Sequence, residues 1–407
     1  MNIKLDSNLA KVKINGTEVD KVKYNGAVVW TKPAARGIYG VSWSGTGSGT
    51  VALTRTDDAV GLADPVPYVN NGTMVAADCS SPFDTIAPWK DIQIETIGNN
   101  TCVKIPKFWY KITYGGSPSH ITKIQIANYA ETGFAVSPAH ADRGYGEQDF
   151  IWVDRYINNT NYESVTGVTD RTATQIKRGT ARTNVRAIVI PNKHAELFDY
   201  ALLQTIWMLY LVEFAHTDSQ AKIGAGLNSS FTTGDTNSMP YHTGTMGNAR
   251  GGGYGSGAVQ YRHMENLWGY GAFCWLDGIK MYQQNSSNYM RLLIQDKFAD
   301  YDDNNMSSSI GITSVFSSNN IAYLFKNTIT GNISDLFIPY TGAGSSSQYN
   351  VIFDYCAGPY SSQYGQTLGV TTGGDYYSQS GLFRLMGTAQ LSTATARIRK
   401  QFVNFVE

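Results

Sequence analysis

Short apolar runs that alternate with polar residues recur along the chain, and long segments rich in glycine, serine, asparagine and threonine separate them. Alternation of this kind is typical of half-buried β-strands. The pattern predicts strands within Val103–Thr113, Lys123–Ala127 and Asp149–Val153. Most of the chain is therefore expected to consist of short strands joined by polar loops.

One segment follows the helical period instead. Between Leu197 and Phe214 apolar side chains recur at helical spacing, and Asp199 is well placed to cap the first turn. A second, short helix is predicted to begin near Asp218 and to end by Gly224. One strong helix among many short strands predicts the α+β fold class, with the loops dominating.

A repeated pattern occupies the first thirty residues. Lys11–Val19 and Lys21–Val29 each consist of an alternating apolar run that an Asn-Gly pair interrupts. Asn-Gly is a strong hairpin signal because both residues tolerate positive φ. Two hairpins bury too little apolar surface to be very stable alone. Residues 1–32 are therefore predicted to form an attachment or oligomerisation module, residues 33–37 a linker, and residues 38–407 the main region.

Composition narrows the possible function classes. Charged residues make up 16% of the chain, against roughly 25% in ordinary soluble domains. The 32 basic and 32 acidic side chains cancel, so nucleic-acid binding is not expected. The longest apolar stretch, Leu202–Ala215, is shorter than the ~20 residues that a bilayer requires, and the first residues have no secretory pattern. No membrane insertion is expected.

Cysteine and histidine spacing predicts neither cross-links nor a metal site. The four cysteines are far apart, which favours buried, reduced thiols. The six histidines lack metal-motif spacing. The acidic segment Asp300–Asn305 has oxygen ligands for calcium but not the EF-hand spacing, so a solvated loop is the preferred interpretation.

Candidate catalytic residues are few. The nucleophile-elbow and phosphate-loop motifs are missing from the sequence. Two carboxylates that meet across a cleft would make a glycosidase. The candidates for such a pair are Asp149, Asp154, Glu213 and Glu265.

Charge is distributed unevenly. Residues 1–37 contain seven Lys or Arg and three acidic residues, whereas Asn327–Phe383 contains no Lys or Arg and seven tyrosines. Tyrosine with serine, glycine and asparagine is typical of binding surfaces, because rigid aromatic rings supply area and small polar groups supply hydrogen bonds. A β-rich domain with ordinary polar loops is the alternative. We favour recognition, since a tyrosine-rich segment whose only charged residues are Asp335, Asp354 and Asp375 is unusual for mere solvation.

The most specific motif contains Glu265, Asn266, Trp268, Trp275 and Asp277 in that order. It occurs together with Ile105–Lys111, Leu209–Gly224, Phe337-Ile-Pro339, Gly373-Gly374 and Ala396-Arg-Ile-Arg399, over about residues 38–402. In this order the motifs resemble C-type-lectin-fold proteins of the formylglycine-generating-enzyme branch. More closely, they resemble phage tail and tail-fibre receptor-binding proteins with that fold, including hypervariable proteins diversified by retroelements. The resemblance implies a C-type-lectin-like domain.

The resemblance also implies a ligand-binding surface in a display portion at about 327–402. In the family, loops between the Gly-Gly strand and the closing Ala-Arg strand contact the ligand. The predicted contact residues are Tyr360, Tyr364, Asp375, Tyr376, Tyr377, Ser378, Gln379, Arg384, Met386, Thr388 and Gln390. Trp268, Trp275, Asp277 and Arg397 are the implied scaffold residues.

Departures from the family pattern bear on activity. The sequence has Gly373-Gly-Asp-Tyr376 where relatives often have Gly-Gly-Ser-Trp, and Tyr377–Leu391 lacks the cysteine pair of the oxidase branch. Without two thiolates there is no soft ligand set for copper, so oxidase activity is not expected. The calcium-dependent sugar-binding signatures are missing too. No cofactor and no metal are expected.

The combined expectation is a non-enzymatic receptor-binding protein at the tip of a phage or phage-like tail. It would be made in the host cytoplasm, recognise a bacterial surface protein or glycan, and join other tail proteins through its N-terminal module. A homo-oligomer is expected, with a trimer favoured. The alternatives are a glycan-degrading tail enzyme, a lectin-fold oxidase and a bacterial surface adhesin.

Overall fold

The structure is a computed structural model, and its contacts divide the chain into two units, Met1–Gly37 and Ile38–Glu407. The residues that it describes are 12–14, 17–19, 21–24, 27–31, 36–43, 52–115, 120–169, 176–227, 232–247, 257–269, 273–283, 290–303, 310–314, 323–326, 337–340, 356–357, 366–373, 382–383, 385–391, 398–400 and 402–407.

The first unit contains two pairs of strands. These are β1 (Val12–Ile14), β2 (Thr17–Val19), β3 (Lys21–Tyr24) and β4 (Ala27–Thr31). β1 pairs antiparallel with β2, so that Val12 lies opposite Val19, and β3 pairs antiparallel with β4. Along the chain, Asn15-Gly16 falls between the paired strands β1 and β2, and Asn25-Gly26 falls between β3 and β4, as their turn preference predicts.

The second unit contains the remaining strands and all three α-helices of the described residues. Up to the long helix, the elements are β5 (Ile38–Ser42), β6 (Thr54–Asp57), β7 (Tyr68–Val69), β8 (Gln93–Ile97), β9 (Asn100–Pro106), β10 (Trp109–Gly115), β11 (His120–Ala127), β12 (Ala135–Val136), β13 (Phe150–Asp154), α1 (Arg178–Arg186), β14 (His194–Leu197) and α2 (Tyr200–Phe214). After it come α3 (Ser219–Lys222), β15 (Gly244–Thr245), β16 (Val259–Tyr261), β17 (Met264–Glu265), β18 (Phe273–Gln283), β19 (Met290–Ile294), β20 (Ile310–Ser314), β21 (Tyr323–Lys326), β22 (Phe337–Tyr340), β23 (Cys356–Ala357), β24 (Thr367–Gly373), β25 (Leu385–Gln390), β26 (Ile398–Lys400) and β27 (Val403–Val406).

Four sheets organise this unit. Sheet A has the order β12-β10-β11-β21-β22, with β5 also paired to β11 and β6 to β5. Sheet B has the order β14-β27-β13-β9-β8, and sheet C the order β17-β16-β15-β7. Sheet D has the order β20-β19-β18-β24-β25-β23, with β26 paired to β18. Most neighbouring strands are antiparallel, as expected where tight turns or short loops join them.

The α+β class predicted from the sequence is wrong. The described residues form 27 strands but only three α-helices, so the chain is mainly β. The physical reason lies in α2, which is not part of a helical layer. α2 is a single element that packs against β5 and β11 of sheet A and against β18 of sheet D.

The local predictions for the helices are confirmed. Asp199 caps α2 by accepting a hydrogen bond from the backbone N–H of Leu202 at 2.9 Å. Asp218 caps α3 in the same way, through Ala221 at 2.9 Å. All fifteen residues of α2 are buried, so the helix is enclosed on every side. None of the helices described is long and apolar enough to cross a membrane.

Several strand and thiol predictions are also confirmed. The run Val103–Thr113 is occupied by β9 and β10, with a break at Lys107-Phe108. The other two predicted runs fall within β11 and β13, apart from Asp149, which precedes β13. Cys79, Cys102 and Cys274 are buried free thiols.

Gly369 on β24 leaves room for the indole of Trp275, which is on the neighbouring strand β18 of the same sheet. A Cβ at Gly369 would lie 2.3 Å from Trp275 Cζ3 and 2.8 Å from Leu391 Cδ2. Because the fully buried indole has no room to retreat, we expect Gly369→Ala to lower the free energy of unfolding by about 1–3 kcal/mol. Urea unfolding followed by tryptophan fluorescence measures the effect, and an unchanged midpoint would contradict this account of the packing.

Candidate functional site

Most of the predicted ligand-contacting residues lie outside the described residues. These are Tyr360, Tyr364, Asp375, Tyr376, Tyr377, Ser378, Gln379 and Arg384. Arg397 of the implied scaffold lies outside them as well. The structure places the backbone of the other three contact residues, Met386, Thr388 and Gln390, on one strand, β25.

Both ends of the segment that carries five predicted contact residues are attached to the core. On one side β24 ends at Gly373, which is paired with Phe273 of β18. On the other side Leu382 donates its backbone N–H to Ser219 Oγ at 2.9 Å and accepts from Trp207 Nε1 at 2.8 Å. Gly373 and Leu382, which precede and follow residues 374–381 in the sequence, are therefore both held by core elements.

Aromatic packing reinforces the second of these attachment points. Phe383 is fully buried, and its ring centroid lies 5.2 Å from that of Trp207 and 5.5 Å from that of Tyr210, both on α2. Such ring pairs add stability beyond the area that they bury. The chain next to the predicted contact segment is thus held by the most buried helix of the protein.

The register of β25 changes in the middle of the strand. Met386 lies opposite Thr371 of β24, whereas Ala389 lies opposite Gly369, so β25 has one more residue than β24 between these pairs. Thr388 is within this irregular stretch. Bulges of this kind bend a strand and redirect its side chains, and they are frequent beside functional sites.

The two tryptophans of the Glu265–Gly278 motif are buried scaffold residues, as predicted. Trp268 donates its Nε1–H to the carbonyl oxygen of Gly224 at 2.9 Å. Trp275 donates to the carbonyl oxygen of Ile176 at 2.8 Å. Each indole therefore fills the core and satisfies its own polar atom, which buried tryptophans generally require.

Asp277 has its position because β18 is interrupted there. The pairing of β18 with β24 shifts between Leu276 and Lys280, and Gly278 has a φ of +69°. The interruption lets the Asp277 carboxylate accept two hydrogen bonds from Arg182 of α1, at 2.6 and 2.7 Å. The Asp-Gly pair of the motif thus joins sheet D to α1 through a buried bidentate ion pair.

The acidic loop that begins at Asp300 contributes to the same cluster. Asp303 lies 2.9 Å from Arg178 and 2.9 Å from Arg182, with only 15% of its side chain exposed. These charges and hydrogen bonds outweigh the effect of burial and lower the pKa of Asp303. Asp303 is therefore an ion-pair partner and not a solvated side chain. The described residues contain no group of three or more side chains suited to hold a metal ion.

Glu213, one of the four candidate carboxylates, is fully buried in a hydrogen-bond network. It accepts from Arg262 Nε at 3.0 Å and from Arg262 Nη2 at 2.5 Å. The hydroxyls of Ser81 and Tyr261 donate to it at 2.9 and 3.0 Å. Four donors satisfy the charge, and the group links α2 to β16.

The other three candidates have separate partners. Glu265 accepts from the backbone N–H groups of Gly234 and Thr236, both at 2.9 Å, and burial raises its pKa. Asp149 is exposed and pairs with Lys107 at 2.6 Å. Asp154 accepts from Asn158 and from the backbone of β27. No two of the four carboxylates share a hydrogen-bond partner among the described residues.

A cluster that the sequence did not reveal surrounds Asp84. Its Oδ1 lies 2.8 Å from His242 Nε2 and 3.0 Å from Arg262 Nη1, and its Oδ2 accepts from the Tyr241 hydroxyl. Burial opposes ionisation, but the hydrogen bonds to His242 and Tyr241 and the charge of Arg262 lower the pKa of Asp84 to about 2. Asp84 and His242 are 158 residues apart, so spacing offered no signal.

His242 also has a hydroxyl partner. Its Nδ1 lies 2.8 Å from Thr243 Oγ1, which completes an acid–imidazole–hydroxyl row with Asp84. Thr243 is only 1% exposed, and its hydroxyl oxygen accepts the backbone N–H of Arg262 at 3.0 Å. The Thr243 hydroxyl is therefore used within the protein and does not face a substrate. The contacts from Asp84 through His242 to Thr243 hold together segments that are distant in the sequence.

The described residues form a mainly-β structure with one fully buried helix, α2. The C-terminal strands β24 and β27 pair with strands from earlier in the chain. No protein-family model matches the chain. No curated protein is significantly similar to it either. The functional assignment consequently depends on the residues themselves and on their arrangement.

Proposed function

We propose that the chain is a receptor-binding protein of a phage or phage-like tail, which recognises a bacterial surface protein or glycan through its C-terminal surface. The observation that carries this proposal is that the described residues on either side of the predicted contact segment are held by the core. These residues, Gly373 and Leu382, are fixed to sheet D and to the α2–α3 region. Binding residues are commonly found on loops that a rigid scaffold positions.

The chemistry of the segment supports recognition rather than bulk solvation. Asn327–Phe383 contains no Lys or Arg and seven tyrosines. Tyrosine buries a large ring at a low cost in conformational entropy, and its hydroxyl and neighbouring Ser and Gln side chains select the ligand by hydrogen bonding. The charged residues of Asn327–Phe383 are three aspartates, Asp335, Asp354 and Asp375, so few ions have to be desolvated when a neutral glycan or peptide binds.

The first unit fits an attachment role in this proposal. Residues 1–37 carry seven Lys or Arg and three acidic residues, and their strand pairs are too small to be very stable by themselves. We propose that this unit joins other tail proteins or further copies of the chain at the tip of the tail. Several copies, of which a trimer is favoured, would multiply a weak single-site affinity by avidity.

Substitution of the contact residues tests the proposal. We expect the triple variant Tyr376→Ala, Tyr377→Ala, Gln379→Ala to bind bacterial cells at least about tenfold more weakly, because buried interface tyrosines commonly contribute 2 kcal/mol or more. The fluorescently labelled, unaltered full-length protein is first tested on a panel of bacterial strains. Binding of the variant is then measured on a strain that the unaltered protein binds.

A matched control changes exposed residues elsewhere. Val60 and Val189 are 67% and 92% exposed, and the variant Val60→Ala, Val189→Ala should bind as the unaltered protein does. Circular dichroism and the melting temperature establish that both variants fold. Full binding by the triple variant would refute the site assignment. Release of reducing sugar from purified envelopes would instead favour a glycan-degrading enzyme.

A further inference from the structure

The hairpin between β16 and β17 has an unusual turn. Tyr261 pairs with Met264, so the turn consists of only two residues, Arg262 and His263. Both have positive φ, +45° and +70°. This turn type strongly prefers Asn-Gly or Gly-Gly, because glycine has no Cβ and asparagine tolerates positive φ better than most other residues. Strain that persists in two adjacent residues commonly marks a functional constraint.

The strain at Arg262 is explained by its ion pairs. Its guanidinium binds Glu213 at 2.5 Å and Asp84 at 3.0 Å, and it is only 3% exposed. These interactions raise the pKa of Arg262 despite its burial. A residue that neutralises two carboxylates can compensate for an unfavourable backbone conformation.

No such compensation is found at His263. Its backbone N–H donates to the carbonyl oxygen of His242 at 2.9 Å, a bond that glycine would make equally well. Its half-buried ring lies edge-on to the ring of His242, with centroids 5.6 Å apart. Within the described structure its ring nitrogens have no hydrogen-bond partner. The imidazole therefore presents unused polar atoms in a fixed direction.

Arg155 is a second incompletely used group in the same place. Its backbone is held between Thr101 and Glu265, both at 2.9 Å, which brings it beside the hairpin. Arg155 is only 6% exposed. Its Nη2 donates a hydrogen bond to Asn237 Oδ1 at 3.1 Å. Its Nε is buried without a partner, and no carboxylate forms an ion pair with it among the residues described.

A nearly buried arginine without a counter-ion is unfavourable. Buried charges are normally paired because removal from water is costly. The pKa of His263 is lowered to about 3. Burial is the largest cause, the charge of His242 is the second, and the charge of the nearby Arg155 is the third. The surrounding acids have other partners: Glu265 binds backbone N–H groups and Thr236, and Asp84 and Glu213 bind Arg262.

We propose that Arg155 and His263 form a binding subsite for an oxyanion, the carboxylate or phosphate group of a ligand. The guanidinium supplies charge and directional donors, which suit planar or tetrahedral oxyanions. The neutral imidazole donates one further hydrogen bond. Asn237, whose Oδ1 accepts from Arg155 Nη2 and from the Tyr156 hydroxyl, is exposed, so the guanidinium lies close to the surface. This subsite does not depend on the proposed receptor-binding role.

Histidine-selective NMR tests the subsite in the full-length protein. The ring nitrogens of the six histidines are labelled with ¹⁵N, and sodium phosphate or sodium glucuronate is titrated at constant ionic strength. We expect a saturable shift of the His263 resonance with one or both anions, and none with glucose or chloride. A shift with phosphate alone identifies a phosphate ligand, and a shift with glucuronate alone identifies a carboxylate. No saturable shift with either anion would overturn the proposal.

Two variants separate binding from folding. Arg155→Gln should abolish the saturable shift, and an unchanged shift would contradict the role of Arg155. His263→Gly relieves the strained φ, so its melting temperature should rise while the anion-dependent increase in melting temperature disappears. Retention of that increase would equally refute the subsite. Lys107→Gln removes another cation, one already paired with Glu147 and Asp149, and should leave the anion response intact.

Discussion

Replacement of Glu213 with glutamine is expected to lower the free energy of unfolding by about 3–5 kcal/mol, because it leaves a buried guanidinium without its main counter-ion. Glu213 is fully buried and binds Arg262 through two hydrogen bonds at 3.0 and 2.5 Å. An amide supplies one acceptor oxygen instead of two. Its NH2 group then faces either Ser81 Oγ and Arg262 Nη2 or the Tyr261 hydroxyl and Arg262 Nε, all of which are donors. Urea unfolding followed by tryptophan fluorescence measures the loss.

An exposed carboxylate provides the control for this prediction. Asp64 pairs with Lys222 at 3.1 Å and with Arg55 at 3.3 Å, and its side chain is 62% exposed. Asp64→Asn should therefore cost no more than about 1 kcal/mol. The double variant Glu213→Gln, Arg262→Met removes both charges and should recover part of the loss. Equal losses for Glu213→Gln and Asp64→Asn would show that the buried network does not hold α2 to β16.

Asp154→Asn is expected to stabilise the protein at pH 8 but to have little effect near pH 4. Burial raises the pKa of Asp154 to about 8, against a usual value of about 3.9 in an unfolded chain. The folded state therefore retains a proton that the unfolded state releases in this window. Stability falls as the pH rises, by up to about 1.4 kcal/mol per pH unit from this group.

The asparagine preserves the hydrogen bonds of Asp154. Asn158 Nδ2 and the backbone N–H of Val403 both donate to the same carboxyl oxygen at 2.7 Å, so one amide oxygen is sufficient. The other carboxyl oxygen lies 3.8 Å from Cys102 Sγ. In the asparagine variant an amide N–H group at this position can donate a weak hydrogen bond to the sulfur. The substitution thus removes the titration while it retains the local contacts.

Unfolding midpoints from pH 4 to pH 9 measure this effect. Glu196, whose pKa burial raises to about 7, titrates in both proteins, so the difference between them isolates Asp154. Asp149→Asn is the control: interaction with Lys107 lowers the pKa of Asp149, which is then ionised in both states above pH 5. Parallel stability curves for Asp154→Asn and the unaltered protein would contradict the raised pKa.

Local features of the fold were largely predictable from the sequence. The N-caps Asp199 and Asp218 and the helices that follow them depend on contacts within one turn, and such contacts are visible in a short stretch of sequence. The Asn-Gly hairpins depend on the backbone preference of two residues. The fold class depends instead on how distant strands pair, and one conspicuous helix led to the wrong class.

The candidate site was predictable only in part. The motif Glu265–Gly278 marked Trp268, Trp275 and Asp277 as scaffold residues, and all three are buried with satisfied polar atoms. The role of the predicted contact residues stays a prediction. Arg155 and His263 were not singled out, because nothing in sequence spacing joins residues more than one hundred positions apart.

By itself, the sequence determined the short-range structure: where strands and turns occur and where helices begin. It also showed which segment contains no Lys or Arg. These features follow from interactions between neighbours along the chain. Only the tertiary structure decided that Glu213 neutralises Arg262, that Asp277 binds Arg182, and that Arg155 lacks an ionic partner among the described residues. The reason is physical: the energy of a charge depends on its burial and on its spatial neighbours, and folding alone establishes both.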